Sequence, residues 1–153
     1  MRSLILIFGV LLGLLYGESG ETSPQGKTFL RLYIVSAQAI AGGRFIDTAD
    51  FPRLGYIEAV PELELQRLAE VALTSQPSQP ETTIHIKMFP EDAKRFAAVT
   101  ERAVGKQILL MLGNEPLMAP RVLTPISGPY LQLGLNGRHN TTRVANALKA
   151  LIK

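Results

Sequence analysis

Between Gly105 and Gly128 the chain reads GKQILLMLGNEPLMAPRVLTPISG, and this block limits the fold more than any other. Ile108 to Leu112 is an unbroken apolar run, the pattern of a strand covered on both faces or lying at the centre of a sheet. Gly113-Asn114 supplies a turn that tolerates positive φ. A strand then begins near Leu117, and Pro116, Pro120 and Pro125 each remove a backbone donor, so it reads as an edge or bulged strand. An interior strand turning back into a proline-marked edge requires an antiparallel pair within a larger sheet.

The segments on either side fit that sheet. Thr82 to Met88 alternates, with Ile84, Ile86 and Met88 on one face. Pro90 opens a helix where its missing N–H costs nothing, and Glu91 and Asp92 favour the positive end of the dipole. Ala93, Phe96, Ala97, Thr100, Ala103 and Val104 recur at helical spacing as its inner face, and Gly105 is the expected C′ residue. Tyr130 to Leu135 alternates again, with Leu131, Leu133 and Leu135 on one side and Gln132 on the other. A last helix opens at Asn140 or Thr141 and turns Val144, Ala145, Leu148, Leu151 and Ile152 inward. The C-terminal half is therefore β-α-β-β-β-α.

The N-terminal half is less regular. Phe29 to Val35 is a β-prone run that ends in small residues leading to Gly42-Gly43. Arg44 to Gly55 carries Asp47, Asp50 and Pro52 and reads as an extended connection, with a short strand at Tyr56 to Val60. In Glu62 to Thr74 a helical stripe (Leu65, Leu68, Ala69, Ala72) competes with a strand. The proline-bearing segment Ser75 to Glu81 resembles a hairpin loop and favours a strand from about Ala69 to Thr74. The expected class is α+β, with a mixed or antiparallel sheet and two helices packed on one face.

The 153 residues are 46% hydrophobic and 19% charged, enough for one core, and 28–153 is expected to form a single globular domain. Arg2 followed by the apolar run Leu4 to Tyr16 reads as a signal peptide or short N-terminal anchor over 1–19, too short for an ordinary membrane span. Residues 20–27, rich in Gly, Ser, Glu, Thr and Pro, read as a flexible linker. The chain is thus expected to be exported, periplasmic or membrane-tethered, touching the membrane only through an uncleaved N-terminal segment. The net charge of +3 comes without a Lys/Arg cluster, which argues against nucleic acid. Cysteine is absent, which removes disulfides and thiolate metal sites.

The order Thr100, Gly105-Lys106, apolar strand, turn, Ala119-Pro120-Arg121-Val122, Pro125-Ile126-Ser127-Gly128 and closing helix resembles the periplasmic head of the protein-export factor SecD. The resemblance covers Thr82 to Ile152 and implies a SecD-head-like or ferredoxin-like fold. Its motif residues are Gly105, Gly113, Asn114, Ala119, Pro120, Pro125, Ile126 and Gly128. Two positions depart from the pattern: Gly113-Asn114 stands where such heads usually have Asp-Gly, and Pro129 replaces a second glycine. SecD proteins drive movement through transmembrane helices not seen in this chain, so proton-driven motion is not implied.

The inventory for catalysis is thin. His85 and His139 are the only histidines, and no Gly-x-Ser-x-Gly motif or phosphate loop occurs. His85 reads as a sheet-facing residue, His139 as helix-entry polarity, and Asp47 and Asp50 as turn formers. No catalytic residue, metal or cofactor is expected. Asn140-Thr141-Thr142 matches a glycosylation acceptor, but a helix cap accounts for it. Lys106 and Arg121, on the proline-marked edge, are the candidate partner-binding residues, with solubilising edge charge as their alternative role. The resemblance implies a non-catalytic module for protein or unfolded polypeptide, with export machinery as a further candidate partner. The alternatives are a structural subunit of an envelope assembly or homodimer and, more weakly, a hydrolase or metal enzyme.

Overall fold

The structure, a computed structural model, describes residues 28–75, 82–135 and 140–153. The expected leader, linker, proline-bearing loop and His139 lie outside the described residues. The order is β1 (Leu30–Ile34), β2 (Arg44–Ile46), β3 (Gly55–Ile57), β4 (Leu63–Leu65), β5 (Glu70–Ser75), β6 (Thr82–Lys87), α1 (Pro90–Arg102), β7 (Ile108–Leu112), β8 (Glu115–Met118), β9 (Tyr130–Gly134) and α2 (Thr141–Lys149). This is an α+β fold with the β-α-β-β-β-α order expected of the C-terminal half. Its strands are divided among three antiparallel sheets: β4-β1-β7-β8, β2-β3 and β5-β6-β9.

Why β7 is apolar at every position follows from the two cores. Ile108, Leu110 and Leu112 enter the main core with Leu30 and Leu32 of β1 and most of the buried residues of α1 and α2. Leu109 and Met111 enter a second core with Tyr33, Val35, Ile46 and Ile57. The β2-β3 hairpin thus covers the far face of the four-stranded sheet. Arg44 to Gly55, expected as an extended connection, holds β2, the turn and the first residue of β3; the short strand expected at Tyr56 to Val60 is β3, which ends at Ile57. Asp47 Oδ1 accepts the Arg53 N–H at 3.0 Å within the connecting turn. Gly55 takes φ +136°, and its backbone passes so close to β1's continuation that a Cβ would lie 2.6 Å from the Ser36 carbonyl oxygen.

Phe96 is fully buried between two sheets: Leu30, Leu32, Leu63 and Leu65 of the four-stranded sheet and Leu131 of the three-stranded one surround a gap of about 10 Å³ beside it. Helix α1 packs on β4, and α2 packs on β5 and β6. The start of α1 is stapled to the chain between β4 and β5. Arg67 pairs with Glu91, approaches Asp92 and lies over the Phe89 ring at 4.5 Å. This corner explains the ambiguous stretch 62–74, which holds β4, a bend and then β5. Asn140 caps α2, accepting the Arg143 N–H at 2.9 Å.

Two inward assignments are corrected. Val104 is 45% exposed and Ile152 43%, because α1 ends at Arg102 and α2 at Lys149, so the helical period no longer applies to them. Val99, not named by the stripe, is buried. Gly105 falls one residue beyond C′, since Ala103 is the cap.

Candidate functional site: the proline-marked return segment

Most of the motif residues gather near the C-terminal end of α1, while Gly113 and Asn114 stand apart in the β7–β8 turn. After β8, the chain returns past the residues that lead into β7. Ile108 N–H bonds to the Pro120 carbonyl at 2.9 Å, Val122 N–H to the Lys106 carbonyl at 2.9 Å, and Gly105 N–H to the Val122 carbonyl at 2.8 Å. The Gln107 side chain adds a bond to the Ala119 carbonyl at 3.1 Å. Pro120, which has no N–H to give, therefore contributes its carbonyl. Edge position and irregularity both hold: β8 is the last strand of its sheet, and its register with β7 shifts at Leu110/Met111.

Thr100 ties the helix to the second proline motif. Its hydroxyl oxygen accepts the Ile126 N–H at 3.0 Å and donates to the Ala97 carbonyl at 3.0 Å, with the residue wholly buried. A hydroxyl is what the position needs, since it must accept from one backbone group and donate to another. The glycines meet backbone requirements here: Gly105 at φ +80°, Gly113 at +61° in the β7–β8 turn and Gly128 at +96°. Pro129, the departure from the family pattern, offers its carbonyl to Met88 N–H at 2.7 Å, joining the return segment to the strand that precedes α1.

Lys106 and Arg121 lie on neighbouring pairs of this ladder, and their side chains have different surroundings. Arg121 donates from Nη1 to the Gly105 carbonyl at 2.5 Å, so its guanidinium fastens the return segment to the helix end. Lys106 lines a cleft of about 280 Å³ with Tyr33, Ile40, Val60 and the Arg102–Glu62 ion pair, whose atoms are 2.7 Å apart. Leu123 on the return segment is 77% exposed, near Val104, whose neighbour across the ladder is Val122. Sequence reasoning missed this exposed pair by assigning Val104 inward.

Elsewhere the chemistry is structural. His85 is half-buried in mid-strand between Ala72 and Gln132. Among the described residues no group of three or more His, Asp or Glu could hold a metal ion. At Glu64 the hydrogen bond from Arg31 Nε, at 2.8 Å, holds the carboxyl below the usual value. No helix among the described residues is long and apolar enough to cross a membrane.

These features define a class, a small α+β head whose first helix is locked to a proline-marked return segment. The particular likeness is to SecD, and the domain is SecD-head-like. The protein translocase subunit SecD of Acidaminococcus fermentans is 44% identical over 63 residues, which are 40% of this chain and 14% of that protein. The solved structure of SecDF, a membrane component that enhances protein export, superposes with a TM-score of 0.62 at 20% identity, over 81% of this chain and 63% of that one. SecDF in its super-membrane-facing form gives 0.56 at 18% identity, over 80% of this chain and 18% of that one. The chain thus spans a minor part of the SecD subunit it matches. No protein-family model matches it.

Proposed function

We propose that this chain is an exported, non-catalytic binding module that holds polypeptide or an envelope protein partner at the return segment, without a proton-driven motor. The observation that carries the reading is the likeness in fold, over 81% of the chain, to a protein that enhances export. The surface is consistent with it. Leu123 and Val104 offer apolar contact, and Lys106 places a cation beside a cleft lined by apolar and charged residues together, Glu58 and the Arg102–Glu62 pair among them. Such a combination suits an extended segment bearing apolar side chains among polar or charged ones. Arg121 acts here by positioning, because its guanidinium is engaged by Gly105.

The test is photocrosslinking of the full chain in the cells that produce it, with a photoreactive residue at Leu123 or Lys106 and a control at exposed Lys94 on α1. Adducts with other polypeptides at the first two positions, in excess of Lys94, are expected. Equal or absent adducts at all three would overturn the reading.

A further inference from the structure

We infer that β5 is a self-association edge, pairing antiparallel with β5 of a second copy about a two-fold axis at Leu73. The edges of the two larger sheets differ in what keeps another strand away. β8 carries Pro116 and a register shift. β4 is short and has its Glu64 held by Arg31. β9, the other edge of its sheet, has its core-facing Leu133 wholly buried. By contrast, β5 pairs with β6 in an unbroken register from Glu70 to Ser75, and no strand of the described residues lies on its other side. It has no proline or lysine, its only charge is Glu70 at its start, and α2 packs on it as on β6, so from Val71 to Ser75 neither charge nor proline keeps a further strand away.

The side chains say where cover is missing. Leu73 shares the core face with Val71 and sits opposite fully buried Ile84, yet it is 37% exposed. The backbone says which register a partner must take. Met88 N–H bonds to the Pro129 carbonyl on the β9 side. Alternation therefore turns Lys87, His85 and Thr83 toward β5, where they meet Glu70, Ala72 and Thr74. The backbone groups of Val71, Leu73 and Ser75 are left facing the open edge. An antiparallel strand centred on Leu73 would bond to these groups, placing Leu73 opposite Leu73 of the second copy and Val71 opposite its Ser75. Each Leu73 then covers the other, and within the described strand no like charges meet. A second copy is the occupant because its own β5 supplies, from Val71 to Ser75, an uncharged, half-apolar strand that is self-complementary about Leu73. Strand pairing alone buries little surface, so the association is concentration-dependent rather than obligate.

The chain has no cysteine, so Leu73→Cys introduces a single thiol. Mild oxidation of cells producing the full chain is expected to give a disulfide-linked species of twice the chain mass. Its yield should be at least fivefold above that from Gln132→Cys on the opposite sheet edge. In sedimentation of the full chain in mild detergent, Leu73→Lys should weaken self-association at least tenfold, with circular dichroism unchanged. Equal yields at the two positions, or a wild-type chain monomeric at the highest concentration reached, would overturn the proposal. A Leu73→Cys product at the mass of an unrelated polypeptide would overturn the second copy as occupant. Adducts at Leu123 and disulfides at position 73 report different surfaces, so the two readings fail separately.

Discussion

The hydroxyl of Thr100, in the last turn of α1, accepts the backbone N–H of Ile126 at 3.0 Å although the two residues are far apart in the chain. Removing that hydroxyl while keeping the shape leaves a largely desolvated N–H without its acceptor. Thr100→Val is expected to cost about 1 to 3 kcal/mol in urea unfolding, whereas Thr100→Ser should restore most of the loss. Equal stability of the valine variant and the wild type would show that the bond does not hold the return segment.

Phe96 lies between the four-stranded and three-stranded sheets, so truncating it opens both. Phe96→Ala should destabilise the domain by about 3 to 5 kcal/mol, read from denaturant midpoints at constant slope. A loss below about 1 kcal/mol would mean that the sheets close over the site, a collapse the tight packing here disfavours.

The close approach at Gly55 makes a local prediction. Gly55→Ala adds a Cβ that meets Ser36 and Val35 at a backbone φ that alanine rarely adopts. The expected result is a lower melting temperature together with faster hydrogen exchange at Ser36 and Tyr56, whose amides bond to each other's carbonyls at 2.8 Å. Exchange in the β5-β6-β9 sheet should change less. A uniform change across both sheets would contradict the independence of the second core.

Acid should weaken the β1-β4 edge. Because Arg31 holds the Glu64 carboxyl below its unfolded value, the pair stabilises the fold above the unfolded carboxylate pKa. That contribution disappears as pH falls through the lower, folded pKa. Arg31→Met should raise the Glu64 pKa, followed by carboxyl carbon NMR, and the stability difference from wild type should shrink in acid. A Glu64 titration unchanged by the substitution would assign the shift to another cause.

Much of the C-terminal half is legible because its elements are long enough to show their periods. The stripe through Phe96 and Thr100 and the alternation of Ile84, Ile86 and Met88 each mark a buried face that the structure bears out. Val104 and Ile152 are misread because a period extends past the residue where the helix stops. β2, and with it the hairpin it makes with β3, is hidden for the opposite reason, being three residues long. At the candidate site, local sequence marks the turns and prolines but not the Thr100–Ile126 contact. Nor does it reveal that Arg121 spends its guanidinium on a carbonyl; that depends on the ladder formed between distant residues.

The position of β1 between β4 and β7 also sets an order of events. Leu30 to Ile34 emerge first among the described strands, but their partner Ile108 to Leu112 emerges only after α1. Until then the central ladder cannot close, however fast β5 and β6 form their local hairpin, and the late closure carries the entropy of a long loop. In a chain arranged this way the centre of the sheet waits on β7, and the arrival of Ile108 to Leu112 decides when it closes.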